Sequence, residues 1–135
     1  MLIHRSTRLH APKPRKLMGE TFAQITVRKQ PAAKKKARVR CVVDTGADFT
    51  VLPRAVLEGL GVKPHRRESF EMANGSTIER DVGRVFVEFQ ERAEFTPAVF
   101  GESGDASLLG VLTLEELGLG VDPLRREIFP LELRM

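Results

Sequence analysis

VVDTGADFTVLP, residues 42–53, decides the fold. Cys41, Val42 and Val43 run straight into the acid Asp44, and Thr45 and Gly46 follow at once. A carboxylate at the end of a buried strand is costly unless something holds it. Three readings compete. Asp44 caps its own turn, as Asp often does, but a one-turn cap places no demand on the Thr-Gly-Ala that follows. Asp44 accepts a phosphoryl group at a strand end, but such sites need Mg²⁺ and further acids. Here Asp48 is the one acid nearby, and no alternating β/α pattern supports a parallel sheet. In the third reading, Asp44 is one half of a carboxylate pair for acid proteolysis.

Outward from this stretch, the pattern is mostly β. Residues 21–29, TFAQITVRK, alternate apolar and polar, roughly as a strand does. QPAAKKKA turns the chain, and RVRCVVDTG (38–46) is a second strand that becomes continuously apolar, hence buried on both faces. Pro53 opens a short helix, RAVLEGLG, with Gly61 at its C-terminal end. RRESFEMANGSTIERD (66–81) places Asn74-Gly75 between two extended arms, a hairpin signature. In GRVFVEF, Val85, Val87 and Phe89 share one face and Arg84, Phe86 and Glu88 the other. EFTPAVFG (94–101) is a strand whose Pro97 suggests an edge or bulge. SLLG (107–110) is a short strand, and Thr113-Leu114-Glu115-Glu116 matches a capping box opening a second helix. GVDPLRREIFPLELRM reads as an extended tail. The expected class is all-β, seven or eight strands with two short helices, spaced as in a small barrel or sandwich. There is also an echo: CVVDTGADFTVLPRAVLEGLGV and SLLGVLTLEELGLGV both run from strand through Gly to a short helix, suggesting paired halves.

Composition narrows the setting. The chain has 135 residues, enough for one modest core. No run approaches the ~18 apolar residues of a membrane span. The single cysteine excludes an internal disulfide, and the first residues lack an apolar signal region, so the cytoplasm is the expected compartment. Residues 1–40 carry 12 Lys/Arg against one acid, whereas residues 41–135 carry 10 against 17. Residues 1–19, with two prolines and no periodicity, read as a disordered basic extension, and residues 20–135 as the domain. Such a basic arm raises nucleic-acid binding, but no aromatics are interleaved with its charges as stacking platforms. No histidine has metal-ligand spacing, since His4 and His10 lie in the extension and His65 in a loop, and no cofactor is expected. Cys41 reads as a small buried apolar residue.

The stretch VVDTGADFTVLP resembles the active-site segment of the retroviral-type (retropepsin-like) aspartic proteases. Further features concur in order: the hairpin where that family has its flap, then Leu108-Leu109-Gly110 opening the late helix, then a C-terminal extended segment. The likeness spans roughly residues 20–135 and is closest to the bacterial single-domain members. It implies a small closed β-barrel with one lobe per chain. The implied function is an aspartic endopeptidase acting on polypeptide. The chain has one Asp-Thr-Gly, so the second carboxylate would come from a second copy, in a C₂ homodimer with Asp44 at the axis. The resemblance implies that Thr45 bonds across that axis and that Gly46 supports the Asp44 carboxylate. Ala47 and Asp48 would meet the substrate backbone, and Met72, Ala73, Asn74 and Gly75 would form the flap over it. Two departures stand out. Val111 occupies the position of an Arg that pairs in viral members with the equivalent of Asp48, so Asp48 needs another cation or stays solvated. The flap tip has a single Gly where viral members have several. A peptide-binding or dimerising module that cleaves poorly is the alternative.

Overall fold

In a computed structural model, residues 6–9 are described as backbone and residues 20–131 in full. The alternating stretch after Thr21 forms β2 (Phe22–Arg28), preceded by β1 (Ser6–Leu9), and the tip KQPAAKKK turns it back into β3 (Ala37–Val43). Ile25 and Val27 of β2 and Val39 and Cys41 of β3 point into the core, while Arg38 and Arg40 face out. Val42 and Val43 are only half-buried, so the end of β3 is less enclosed than its apolar run suggests. The turn carrying Asp44 follows, then β4 (Thr50–Pro53) and α1 (Arg54–Gly59), with Gly61 in the left-handed region just beyond (φ 83°).

A hairpin follows, built from β5 (Arg66–Met72) and β6 (Thr77–Phe89). The two arms expected around Asn74-Gly75 are present, but the return arm and GRVFVEF are one continuous strand of 13 residues. The first half of β6 pairs with β5, and the second half pairs with β7 (Arg92–Gly101) and β2. Ladder order is therefore β6–β2–β3–β8–β4–β7 and back to β6, where β8 is Leu108–Leu109. Pro97 lies beside Arg84 of β6, one residue before β7 starts its parallel pairing with β4 at Ala98. The echo seen in the sequence has a structural counterpart. The strand ends Val42-Val43 and Leu108-Leu109 lie side by side in parallel, each feeding a Gly-containing turn.

Two local expectations need correction. The second helix, α2, starts at Val111 and runs to Leu117, with Gly110 at its N-cap and no side-chain cap. Thr113 lies within it, fully buried, its hydroxyl taken by other core groups, so no capping box forms. The C-terminal stretch is a hairpin, not an extended tail, because β9 (Leu119–Asp122) pairs antiparallel with β10 (Glu127–Pro130). Asp122 turns the chain there, accepting bonds from the N–H groups of Leu124 and Arg125. Within the stretch read as disordered, β1 runs parallel to the outer edge of β5. The edge of a hairpin strand is a ready template for such a strand. The rest of that stretch, and residues 132–135, lie outside the described residues.

Among the described residues there are ten strands and two short helices, an all-β class. The larger core cluster joins Ile25, Val27, Val85, Val87 and Phe100 to Leu57 of α1 and to Leu114 and Leu117 of α2. A second cluster, Ala47, Val51, Phe70, Val82, Val99 and Leu108, lies between the Asp44 turn and the base of the β5–β6 hairpin. Among the described residues no helix is long and apolar enough to cross a membrane.

Candidate active site

Asp44 is half-buried at the end of β3. Its own N–H donates to Leu109 O (3.0 Å), which ties the end of β3 to β8. Its carboxylate accepts the N–H of Gly46 at Oδ1 (2.9 Å), and its carbonyl accepts the N–H of Ala47 (3.1 Å). The acid is thereby oriented by its own turn. Thr45 and Gly46 are exposed, whereas Ala47 is fully enclosed in the second core cluster.

The far side of the turn is fastened to α2. Ala47 O and Asp48 O accept the N–H groups of Val111 (2.9 Å) and Leu112 (3.1 Å). These N–H groups belong to the first turn of a helix and have no partner within it, so the turn satisfies them. The approach is close enough to require glycine. A Cβ on Gly110 would lie 2.5 Å from both the carbonyl carbon and oxygen of Phe49. Behind the turn, Thr113 Oγ1 meets Thr50 Oγ1 (2.5 Å) and Thr96 Oγ1 (2.8 Å), and Gly110 N–H donates to Thr50 Oγ1 (3.0 Å). All three threonines are fully buried. Sequence reasoning missed this relay; the one available signal was a threonine inside an apolar strand, Phe49-Thr50-Val51-Leu52.

Asp48 is half-buried and takes part in no ion pair among the described residues. With Val111 where an arginine would pair with it, burial pushes its carboxyl above the usual range. Cys41, two residues before the turn strand ends, is buried, and desolvation pushes its thiol up to about 12. It stays protonated and unreactive at neutral pH.

The hairpin residues divide in two. Met72 packs on the cluster that contains Ala47, so the hairpin base and the Asp44 turn share one apolar seat. Ala73, Asn74 and Gly75 are exposed at the tip. Gly75 has φ 91°, a conformation that favours glycine, and Asn74 Oδ1 accepts both the N–H and the hydroxyl of Ser76. The return strand is clamped by Arg80, whose Nε and Nη2 donate to Asp105 at 2.8 and 3.1 Å. Arg54, at the start of α1, binds Asp81 (2.6 Å) and Glu102 (2.8 Å).

A mainly-β ring of strands with an Asp-Thr-Gly turn beneath a hairpin defines the retropepsin class of fold. EIAV protease, solved with a bound inhibitor, shares it: TM-score 0.56 at 18% identity, over 78% of this chain and 95% of that one. A retropepsin-like aspartic protease from Rickettsia conorii aligns with TM-score 0.43 at 24% identity, over 80% of this chain and 88% of that one. No curated protein matches the chain. Residues 31–116 match the family described as "gag-polyprotein putative aspartyl protease", and the chain belongs to that family.

Proposed function

We propose that the chain is an aspartic endopeptidase that acts as a homodimer, with the Asp44 carboxylates of two copies sharing one proton. The observation that carries this reading is the setting of Asp44. Its carboxylate is oriented by the Gly46 N–H, its turn is fastened to β8 and α2, and its outer side is open at Thr45 and Gly46. A rigid acid on an exposed turn suits an isologous contact that brings two identical acids together. Two such carboxylates, about 3 Å apart, cannot both ionise.

In the reaction, the charged carboxylate takes a proton from a bound water as its oxygen bonds to the scissile carbonyl carbon. The protonated carboxyl gives its proton to the carbonyl oxygen. Collapse of the resulting diol breaks the C–N bond, and the amine leaves with a proton from the dyad. Thr45 would bond across the axis. Ala47 and Asp48 would hold the substrate backbone in extended form, and Met72 to Gly75 would close over it. A cytoplasmic setting belongs to the same reading. Asp48, in no ion pair among the described residues, favours one alternative, a module that binds peptide and cleaves slowly.

Cleavage of a complex peptide mixture, read by mass spectrometry from pH 4 to 8 for wild type and Asp44→Asn in parallel, tests the proposal. Cuts by the wild type alone are expected, with a bell-shaped pH profile centred on the acid side of neutral. Equal cutting by the variant, or a rate that still climbs at pH 8, contradicts it.

A further inference from the structure

At the far end of β2 from Asp44, an open concavity of about 420 Å³ is lined by Lys29, Gly61, Lys63, His65, Arg84 and Phe95, among others, and no acid contributes to its wall. Phe22 pairs with Val42 beside the Asp44 turn, and Lys29 lies seven residues further on. At about 3.3 Å per residue the concavity is roughly 23 Å away along the strand. It is a separate site, and the inference does not rest on the proteolytic reading.

Three permanent cations converge there from three parts of the chain: the end of β2, the loop after α1, and β6. Elsewhere five guanidinium groups, those of Arg28, Arg54, Arg66, Arg67 and Arg80, meet carboxylates, whereas among the described residues Arg38, Arg40, Arg92 and Arg126 are in no ion pair. Among the described residues, Lys29, Lys63 and Arg84 have no such partner. Like charges gathered around one hollow repel unless an anion joins them. The field is reinforced by the β2–β3 tip. Lys35 Nζ donates to Gly59 O (3.3 Å), two residues before Gly61 of the rim.

Shape selects the kind of anion. The strands behind the hollow are already paired on both sides: Val27 with Ala37 and Val87, and Phe86 with Arg28 and Phe95. Among the described residues β7 pairs at Phe95 with β6 alone, so an extended acidic peptide is the competing occupant that the test must exclude. The volume lies within the small-molecule range. Arg84 sits over the Phe95 ring (5.8 Å), which orients its fork within the hollow. Lysines as point charges and an arginine fork suit closely spaced phosphate oxygens. We propose that this concavity binds a small ligand carrying a chain of two or more phosphates, either inorganic or attached to a nucleoside.

Titration calorimetry of the full chain with tripolyphosphate, ATP and adenosine tests this and separates the two sources. Saturable binding of tripolyphosphate and ATP, weakened by added salt, with none for adenosine, assigns the phosphate chain as the recognised group. Binding of ATP alone, reduced by Phe95→Leu, assigns a nucleoside polyphosphate. In either case Lys63→Gln combined with Arg84→Gln is expected to weaken binding at least tenfold, Arg84→Lys far less, and Arg125→Gln not at all. All these positions are exposed or half-buried, so the variants are expected to fold, and circular dichroism checks that. The proposal is overturned by no binding at millimolar ligand, or by binding that the double variant leaves unchanged. It is equally overturned if an oligoglutamate or a single-stranded oligonucleotide binds these residues and the phosphate compounds do not.

Discussion

The carboxylates around the Asp44 turn are driven in opposite directions, and that divides their effects on stability. Asp48 is partly desolvated by burial, so folding favours its protonated form. Its contribution is greatest at acid pH and is lost as pH rises through its raised value. At Asp105 burial opposes ionisation, but the Arg80 bond and the Glu102 N–H outweigh it and hold the carboxyl below its usual range. At Asp81 the Arg54 bond lowers it further than desolvation raises it. Both contribute above the unfolded carboxylate value, near 3.9, and lose that contribution as pH falls through the folded one. Thermal unfolding between pH 7 and pH 3 is therefore expected to show a fall in Tm at the acid end, and Asp105→Asn is expected to flatten it. At Asp48 the expected effect of an Asn substitution is opposite in sign: relative to wild type, the variant gains stability at neutral pH. Thr50→Val removes the acceptor of the buried Gly110 N–H and breaks the threonine relay. An orphaned buried donor costs about 1–3 kcal/mol, readable as a lower midpoint in urea. At this scale the turn at Asp44 was legible, because Asp44, Gly46 and Ala47 form it within four consecutive residues. Thr50, Thr96 and Thr113 stayed hidden, because a hydroxyl pairing across three elements leaves no trace in local spacing.

The elements that hold the turn are β8 and α2, and their close approach depends on Gly110. Gly110→Ala would drive a Cβ into the Phe49 backbone, which has no flexible end to move aside. Overpacking of this kind costs about 1–3 kcal/mol. It is expected to lower peptidase activity along with stability, since α2 would be pushed off Ala47 O and Asp48 O. Gly59→Ala, at the end of α1 where a Cβ meets nothing within 4 Å, is the control and is expected to be neutral or slightly stabilising. The hairpin was legible from Asn74-Gly75, and α1 from Pro53 and Gly61, since each feature acts within a few residues. The start of α2 was not. Thr113 matched a cap in sequence, but tertiary contacts took its hydroxyl and the helix began at Gly110 instead. The continuous β6 was also hidden, because its two halves serve different partners and only the whole sheet shows that they are one strand.

Among the described residues, the exposed large apolar side chains are Phe22, Leu124, Phe129 and Leu131, most of them at the β9–β10 hairpin. Single exposed apolar residues are ordinary, yet a hairpin bearing three of them is the surface a second copy would cover first. The fold class was readable because turn residues and alternation recur at strand spacing along the chain. The C-terminal hairpin was not, because Pro123 and the left-handed Arg126 are poor local markers of a turn that Asp122 closes. If two copies build one site, activity per chain falls on dilution through the dimer dissociation constant, measurable alongside sedimentation. The most direct test of shared Asp44 carboxylates is subunit mixing. Wild type is unfolded and refolded with an equal amount of Asp44→Asn, and activity is compared with the same wild-type concentration refolded alone. Because a dimer needs both acids, the surviving wild-type pairs are expected to be about one quarter of all dimers, halving the activity of the wild-type chains present. Activity that is undiminished by the variant, with mixed dimers confirmed by mass, would mean that each chain cleaves without its partner's Asp44 and would contradict the account.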